Sequence, residues 1–80
     1  MLEHQDMISF NSLQRHLDNS VSRAHTNMDQ AAMEASESGT VEDLQAFNDA
    51  QQQVDVAGIA VNECLRAKHG INKAVIDGIQ

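Results

Sequence analysis

Proline, tryptophan and tyrosine are absent from this chain of 80 residues, and Phe10 and Phe47 are its only aromatic residues. Without large aromatic side chains, a chain of this length has little apolar volume with which to build its own core. Cys64 is the single cysteine, which excludes an intrachain disulfide framework. We therefore expect one small unit that needs a partner to complete its packing.

Basic residues are also scarce. Twelve Asp and Glu residues are opposed by only five Lys and Arg residues, giving a formal net charge of −7. This balance argues against nucleic acid and anionic membranes, because both are bound through basic patches. No apolar run approaches the ~18 residues of a membrane span. The N-terminal stretch "MLEHQDMISF" has neither a basic n-region nor an apolar h-region, so we expect any export to proceed without a Sec signal peptide.

Helix-forming residues dominate the sequence, and strand-type alternation is absent. We predict a first helix over about residues 10–36, with Ser9 or Asn11 as its N-cap, preceded by a flexible segment at residues 1–9. The apolar residues of this helix step by three or four and form one narrow stripe suited to a helix–helix contact. They are Phe10, Leu13, Leu17, Val21, Ala24, Met28, Ala31 and Ala35.

The stretch "SESGTVED", residues 36–43, is the clearest break in the helical pattern. Gly39 suits the left-handed conformation that often ends a helix, and Thr40 is a suitable N-cap for the next one. Glu42 and Asp43 then favour the positive end of the helix dipole. We predict a turn at 37–40 and a second helix over about 41–79, which together give an all-α, two-helix antiparallel hairpin.

The second helix carries one polar stripe and a wide apolar arc. At 100° per residue, the arc covers roughly 200°, about twice what a surface helix needs. One partner helix covers one row of side chains, so we predict that other copies of the chain bury the remainder. The polar stripe consists of Asn48, Gln52, Asp55, Asn62, Arg66, His69, Lys73, Asp77 and Gln80. The predicted packing residues are Leu44, Phe47, Val54, Ala57, Ala60, Val61, Cys64, Leu65, Ala67, Ile71, Ala74, Val75, Ile76 and Ile79.

Two interpretations of the polar stripe remain open: a solvated face of an ordinary hairpin, or the lining of a water-filled channel. The width of the apolar arc favours the channel. Lys68 falls inside that arc, where it either extends to a polar edge or pairs with an acid on a neighbouring copy.

Catalytic and metal-binding patterns are not found. Cys64 and His69 are five residues apart, and no His or Cys pair has the i, i+4 spacing of a helical metal site. A glycine-rich phosphate loop, a nucleophile elbow and a convincing carboxylate pair are missing as well. We predict neither an enzyme nor a protein that requires a metal or cofactor.

Two stretches carry a resemblance to a known family. "LQAF", residues 44–47, opens the second helix shortly after the turn, and "INKAVIDGIQ", residues 71–80, closes the chain. With its length and hairpin plan, the chain resembles the needle subunits of bacterial type III secretion systems and the related pilus subunits. It departs from them in lacking a proline in the turn and an N-terminal tryptophan.

The resemblance implies a subunit of a hollow helical filament on the bacterial surface, through which unfolded effector proteins pass. The second helix would line the lumen, where the family's basic and polar residues correspond to Arg66, His69, Lys73 and Gln80. The implied partners are further copies of the chain, a cytoplasmic chaperone before secretion, inner-rod and needle-tip proteins, and effector chains in transit. The alternatives are a non-filamentous helical-hairpin secretion chaperone, a small dimeric adaptor, or an inner-rod subunit.

Overall fold

Two long helices joined by a two-residue turn make up the computed structural model, which describes the backbone of residues 2–79 and the side chains of residues 10–78. Helix α1 spans Leu2–Ser38 and helix α2 spans Val41–Ile79. The helices pack against each other in a rod whose longest dimension is 61 Å. The prediction of an all-α helical hairpin is confirmed.

Helix α1 starts earlier than the sequence indicated. It begins at Leu2, not near residue 10, and it ends at Ser38, not at residue 36. Ser9 and Asn11 do not cap it, because both residue types cost less than ~1 kcal/mol inside a helix relative to alanine. Proline and glycine, which stop helices more strongly, are absent from residues 2–38. The segment that we expected to be flexible is therefore helical from Leu2, while Met1 lies outside the described residues.

The turn is closed by local hydrogen bonds. Gly39 has a φ of 64°, and its N–H donates to the carbonyl of Ala35 at 2.8 Å, which ends α1 in a left-handed cap. The Thr40 hydroxyl accepts a bond from the N–H of Asp43 at 3.2 Å, as an N-cap residue does. Ser38 donates its hydroxyl hydrogen to the Asp43 carboxylate, so the side chains on both sides of the turn are joined.

The contact between the two helices follows one line of side chains on each, which we call the seam. Its members are buried or half-buried, and they alternate in steps of three and four as in a coiled coil. On α1 the seam is Phe10, Gln14, Leu17, Val21, Ala24, Met28, Ala31 and Ala35. On α2 it is Asp43, Phe47, Ala50, Val54, Ala57, Val61, Cys64 and Lys68.

Gln14, not Leu13, occupies the seam, in contrast to the apolar stripe that the sequence suggested. The alternation of steps passes from Phe10 to Gln14 to Leu17, and it leaves Leu13 45% exposed. Gln14 is accommodated because its Oε1 accepts a hydrogen bond from Nζ of Lys68 at 3.5 Å. Within one copy, Lys68 thus reaches a polar partner on α1.

The hydrophobic core is thin. Among the described side chains, those of Ala24, Ala35 and Cys64 are buried, and no large side chain is fully enclosed. Small side chains remove little apolar area from water, and the stability gained by burial scales with that area. The fold of a single copy therefore leaves much apolar surface for other contacts.

Candidate assembly surfaces

The predicted polar stripe forms what we call the outer face of α2, the side turned away from α1. Eight of its nine residues, from Asn48 to Asp77, are exposed, while Gln80 lies outside the described residues. Arg66 and Glu63 form an ion pair at 3.7 Å with both side chains largely exposed, a geometry that contributes little to stability. Ile59, 61% exposed, interrupts the stripe. The structure thus brings the described residues of the predicted lining together on one solvent-exposed surface.

Leu44 and Leu65 mark one edge of the outer face, which we call the leucine flank. Each follows a seam residue directly, Asp43 in one case and Cys64 in the other. They are 52% and 42% exposed, so α1 leaves about half of each leucine free.

Ala60, Ala67 and Ala74 mark the opposite edge, which we call the alanine flank. Ala60 and Ala67 directly precede the seam residues Val61 and Lys68, and residues before and after a seam position lie on opposite sides of a coiled-coil helix. The outer face is therefore bordered by large apolar side chains on one side and by small ones on the other.

The end of the hairpin away from the turn, which we call the open end, exposes further apolar residues. The seam spacing continues from Lys68 to Ile71 and Val75, yet these side chains are 50% and 57% exposed. Ile76 is also 57% exposed. Exposed apolar side chains in this amount are typical of surfaces that contact another molecule.

Five residues of the predicted packing set contact helix α1 of the same chain. Phe47, Val54, Ala57, Val61 and Cys64 lie in the seam against α1. The reason is geometric, because their steps of seven, three, four and three keep them on the line that faces α1. Ala57 and Cys64 are among the small residues that we had expected to face a neighbouring copy. The members that remain exposed are Leu44, Leu65, Ala67, Ile71, Ala74, Val75 and Ile76, while Ala60 is half-buried and the side chain of Ile79 lies outside the described set.

A groove of about 360 Å³ runs between the helices on the alanine flank. Sequence reasoning missed it, although small residues beside the seam, Ser20 on α1 and Ala60 on α2, are the signal that could have shown it. Arg23 and Val56 are exposed residues of its lining. The complete lining consists of Leu17, Ser20, Arg23, Ala24, Asn27, Gln53, Val56, Ala57 and Ala60.

Charge is distributed unevenly along the rod. Between residues 24 and 65 there is no lysine or arginine, whereas the turn-proximal half carries most of the acids. Arg15, Arg66, Lys68 and Lys73 lie toward the open end, because the antiparallel pairing brings Arg15 close to the level of Arg66 and Lys68. Arg23 lies near the middle of the rod, beside Gln53 and Val56. The acids between residues 24 and 65 are Asp29, Glu34, Glu37, Glu42, Asp43, Asp49, Asp55 and Glu63.

Metal-binding clusters and membrane-spanning segments are both absent from the described part of the chain. No group of three or more His, Cys, Asp or Glu side chains is placed to hold a metal ion there. Neither helix has, within that part, a segment with the length and apolar character needed to cross a membrane.

Comparison with known families gives one match, to the family described as HrpF protein, over residues 7–80. The chain belongs to the HrpF family. This family is associated with type III secretion, so the chain belongs to that secretion and virulence context. No curated protein and no solved structure matches the chain. The HrpF match includes the turn, nearly all of α1 and the whole of α2, and hence every surface described above.

Proposed function

We propose that this HrpF-family chain is a structural subunit of the type III secretion needle or pilus. Copies of it polymerise into a hollow extracellular filament through which unfolded effector proteins pass. It has no enzymatic role, and it reaches the cell surface by export through the secretion system itself.

The observation that carries this proposal is the position of the outer face. A channel lining has to be polar and turned away from the rest of its own subunit, while its two edges have to meet neighbours. The outer face lies opposite α1, with Leu44 and Leu65 along one edge and the alanine flank along the other. In a tube with α2 inside and α1 outside, these edges face adjacent subunits and the polar residues face the lumen.

The difference between the two edges favours a polymer over a closed pair. A two-fold dimer uses the same patch on both copies, whereas contacts between different patches extend into a helix when the rotation does not close. The large leucine flank and the small alanine flank are different surfaces on opposite sides of one helix. Contact between them generates an open filament when the rotation between copies does not close into a ring.

The exposed apolar surface also implies partners at other stages. A subunit with Ile71, Val75 and Ile76 more than half exposed would associate early in the cytoplasm, so a chaperone is expected to cover the open end before export. Inner-rod and needle-tip proteins would bind the two ends of the finished filament.

A non-filamentous role is the second candidate: a hairpin secretion chaperone or a small dimeric adaptor. The observation that favours it is the grouping of the exposed apolar residues Ile71, Val75 and Ile76 at one end of the rod. A single partner could cap this group and leave the outer face as ordinary solvated surface. An inner-rod subunit of the same system would use the same residues in a short polymer.

Imaging of the purified, concentrated protein tests the proposal. We expect thin, straight, hollow filaments by negative-stain electron microscopy and a broad, fast-sedimenting distribution by analytical ultracentrifugation. A single sharp species of dimer size at all concentrations, with no filaments, would support the adaptor and rule out the needle subunit.

A further inference from the structure

The groove on the alanine flank has the form of a receptor for one apolar side chain. Its floor is made of the half-buried or buried residues Leu17, Ala24 and Ala57. The short side chain of Ala60 forms part of its wall. Because this apolar floor is open to water, covering it with an apolar side chain from another molecule would be favourable.

The chain cannot fill this groove itself. Leu44 and Leu65, the large exposed side chains beside the seam of α2, lie on the opposite flank. A second copy in the same orientation presents its leucine flank to the alanine flank of the first. A leucine of the next copy could thus reach the apolar floor of the groove.

Charge decides between the two leucines. Arg23 lines the groove, donates only to Ser20 at 3.4 Å, and makes no ion pair with any described carboxylate. Leu65 is followed by the cationic Arg66, which pairs with Glu63, whereas Leu44 lies next to Asp43 in the stretch between residues 24 and 65 that has acids and no Lys or Arg. Opposite charges around the contact favour Leu44, since like charges placed together oppose association.

We propose that the groove binds Leu44 of a second copy of this chain, with Arg23 facing the acidic turn-proximal half of that copy. The inference rests on the proposed function and names the contact that would build the filament. Leu44 and the groove residue Ala57 are thirteen positions apart on α2. At ~1.5 Å per residue, parallel neighbours are therefore staggered by about 20 Å along the rod.

Cross-linking between copies tests the contact directly. In a Cys64→Ala background, Leu44→Cys protein is mixed with Val56→Cys protein and oxidised gently. Val56 is 58% exposed beside the groove, so the two thiols approach bonding distance if Leu44 enters it. Leu65→Cys mixed with Val56→Cys is the matched control. We expect a Leu44–Val56 disulfide dimer at least tenfold more abundant than the control, and equal yields would overturn the proposal.

Two further pairs of variants test shape and charge separately. Ala60→Leu fills the groove, whereas Asn19→Leu places the same side chain on the exposed side of α1, away from the groove and from both flanks of α2. Arg23→Glu reverses the charge at the groove, and Arg15→Glu makes the same change on an exposed residue away from it. We expect Ala60→Leu and Arg23→Glu to raise the critical concentration for assembly at least tenfold above that of their controls. Equal effects within each pair would overturn the proposal.

The cross-linking and imaging experiments test two separate claims, the Leu44 contact and the filament. Filaments without the Leu44–Val56 cross-link would overturn this contact while the proposed filament stands. A cross-linked dimer without filaments would support the contact and overturn the filament. The absence of both would overturn both.

Discussion

Lys68 and Gln14 join the two helices across the seam, through a hydrogen bond of 3.5 Å between Nζ and Oε1 of residues 54 positions apart. Their neighbours in the seam are apolar or small: Leu17 on α1, and Val61 and Cys64 on α2. A polar layer within a mostly apolar helix contact costs stability but fixes the alignment, because a shifted pairing leaves its polar groups without partners. The pair thereby sets which residues of α2 remain exposed.

Removing one member of this pair should destabilise the hairpin. Gln14→Leu leaves the part-buried ammonium of Lys68 without its acceptor, which should lower the free energy of unfolding by about 1 kcal/mol. The double variant Gln14→Leu/Lys68→Leu should recover that loss or exceed it, because an apolar layer replaces a polar one. Urea unfolding of the four proteins of the double-mutant cycle measures the coupling. Additive changes would show that the two side chains do not interact.

Val75→Asp should abolish assembly without unfolding the helices. Val75 is 57% exposed at the open end, so the charge is solvated in a free copy but would be desolvated in a contact between copies. We expect unchanged helical circular dichroism and at least a tenfold rise in the critical concentration. Asn62→Asp adds the same charge to the outer face and should assemble normally. If Val75→Asp assembles as the unmodified chain does, the open end is not an interface.

Lys73→Ala should change effector secretion and leave filament assembly unchanged. Lys73 is exposed on the outer face, where it would touch the moving effector and not a neighbouring subunit. We expect filaments of normal length and yield, together with a changed rate of effector secretion by cells that carry the variant. Loss of filaments would place Lys73 in an interface instead of the channel.

Replacement of glycine by alanine should lower the stability of the hairpin at position 39 and raise it at position 58. Gly39 has a φ of 64°, a conformation that costs an L-residue about 1–2 kcal/mol, so Gly39→Ala should destabilise the turn by that amount. Gly58 is helical, and a Cβ atom there would meet nothing within 4 Å, so Gly58→Ala should stabilise the hairpin by up to about 1 kcal/mol. Thermal unfolding compares the two. Destabilisation by Gly58→Ala would show that α2 needs a glycine there.

The hairpin was predictable because its signals are local. Apolar steps of three and four, the αL preference of Gly39 and the capping hydroxyl of Thr40 act within a few residues, and they specify helices and a turn. The start of α1 was missed for a related reason. Ser9 and Asn11 are favourable caps, but no neighbouring proline or glycine forces the helix to begin there.

The assignment of buried and exposed residues needed the structure. Counting at 100° per residue identified the outer face and seven of the eight seam residues of α1, but apolar character alone selected Leu13 where the spacing places Gln14. It also assigned Cys64 to a contact between copies, whereas Cys64 is buried against α1. The groove depends on both helices at once, so no pattern within either helix reveals it.

Thiol accessibility in the assembled state tests most directly whether the outer face of α2 lines a channel. In a Cys64→Ala background, Gln52→Cys places a thiol on the outer face, and Asn19→Cys places one on the exposed side of α1. Both should react at similar rates with a bulky maleimide in disassembled protein. After assembly, we predict that Asn19→Cys still reacts while Gln52→Cys is protected at least tenfold. Equal labelling of the two in assembled protein would contradict the account.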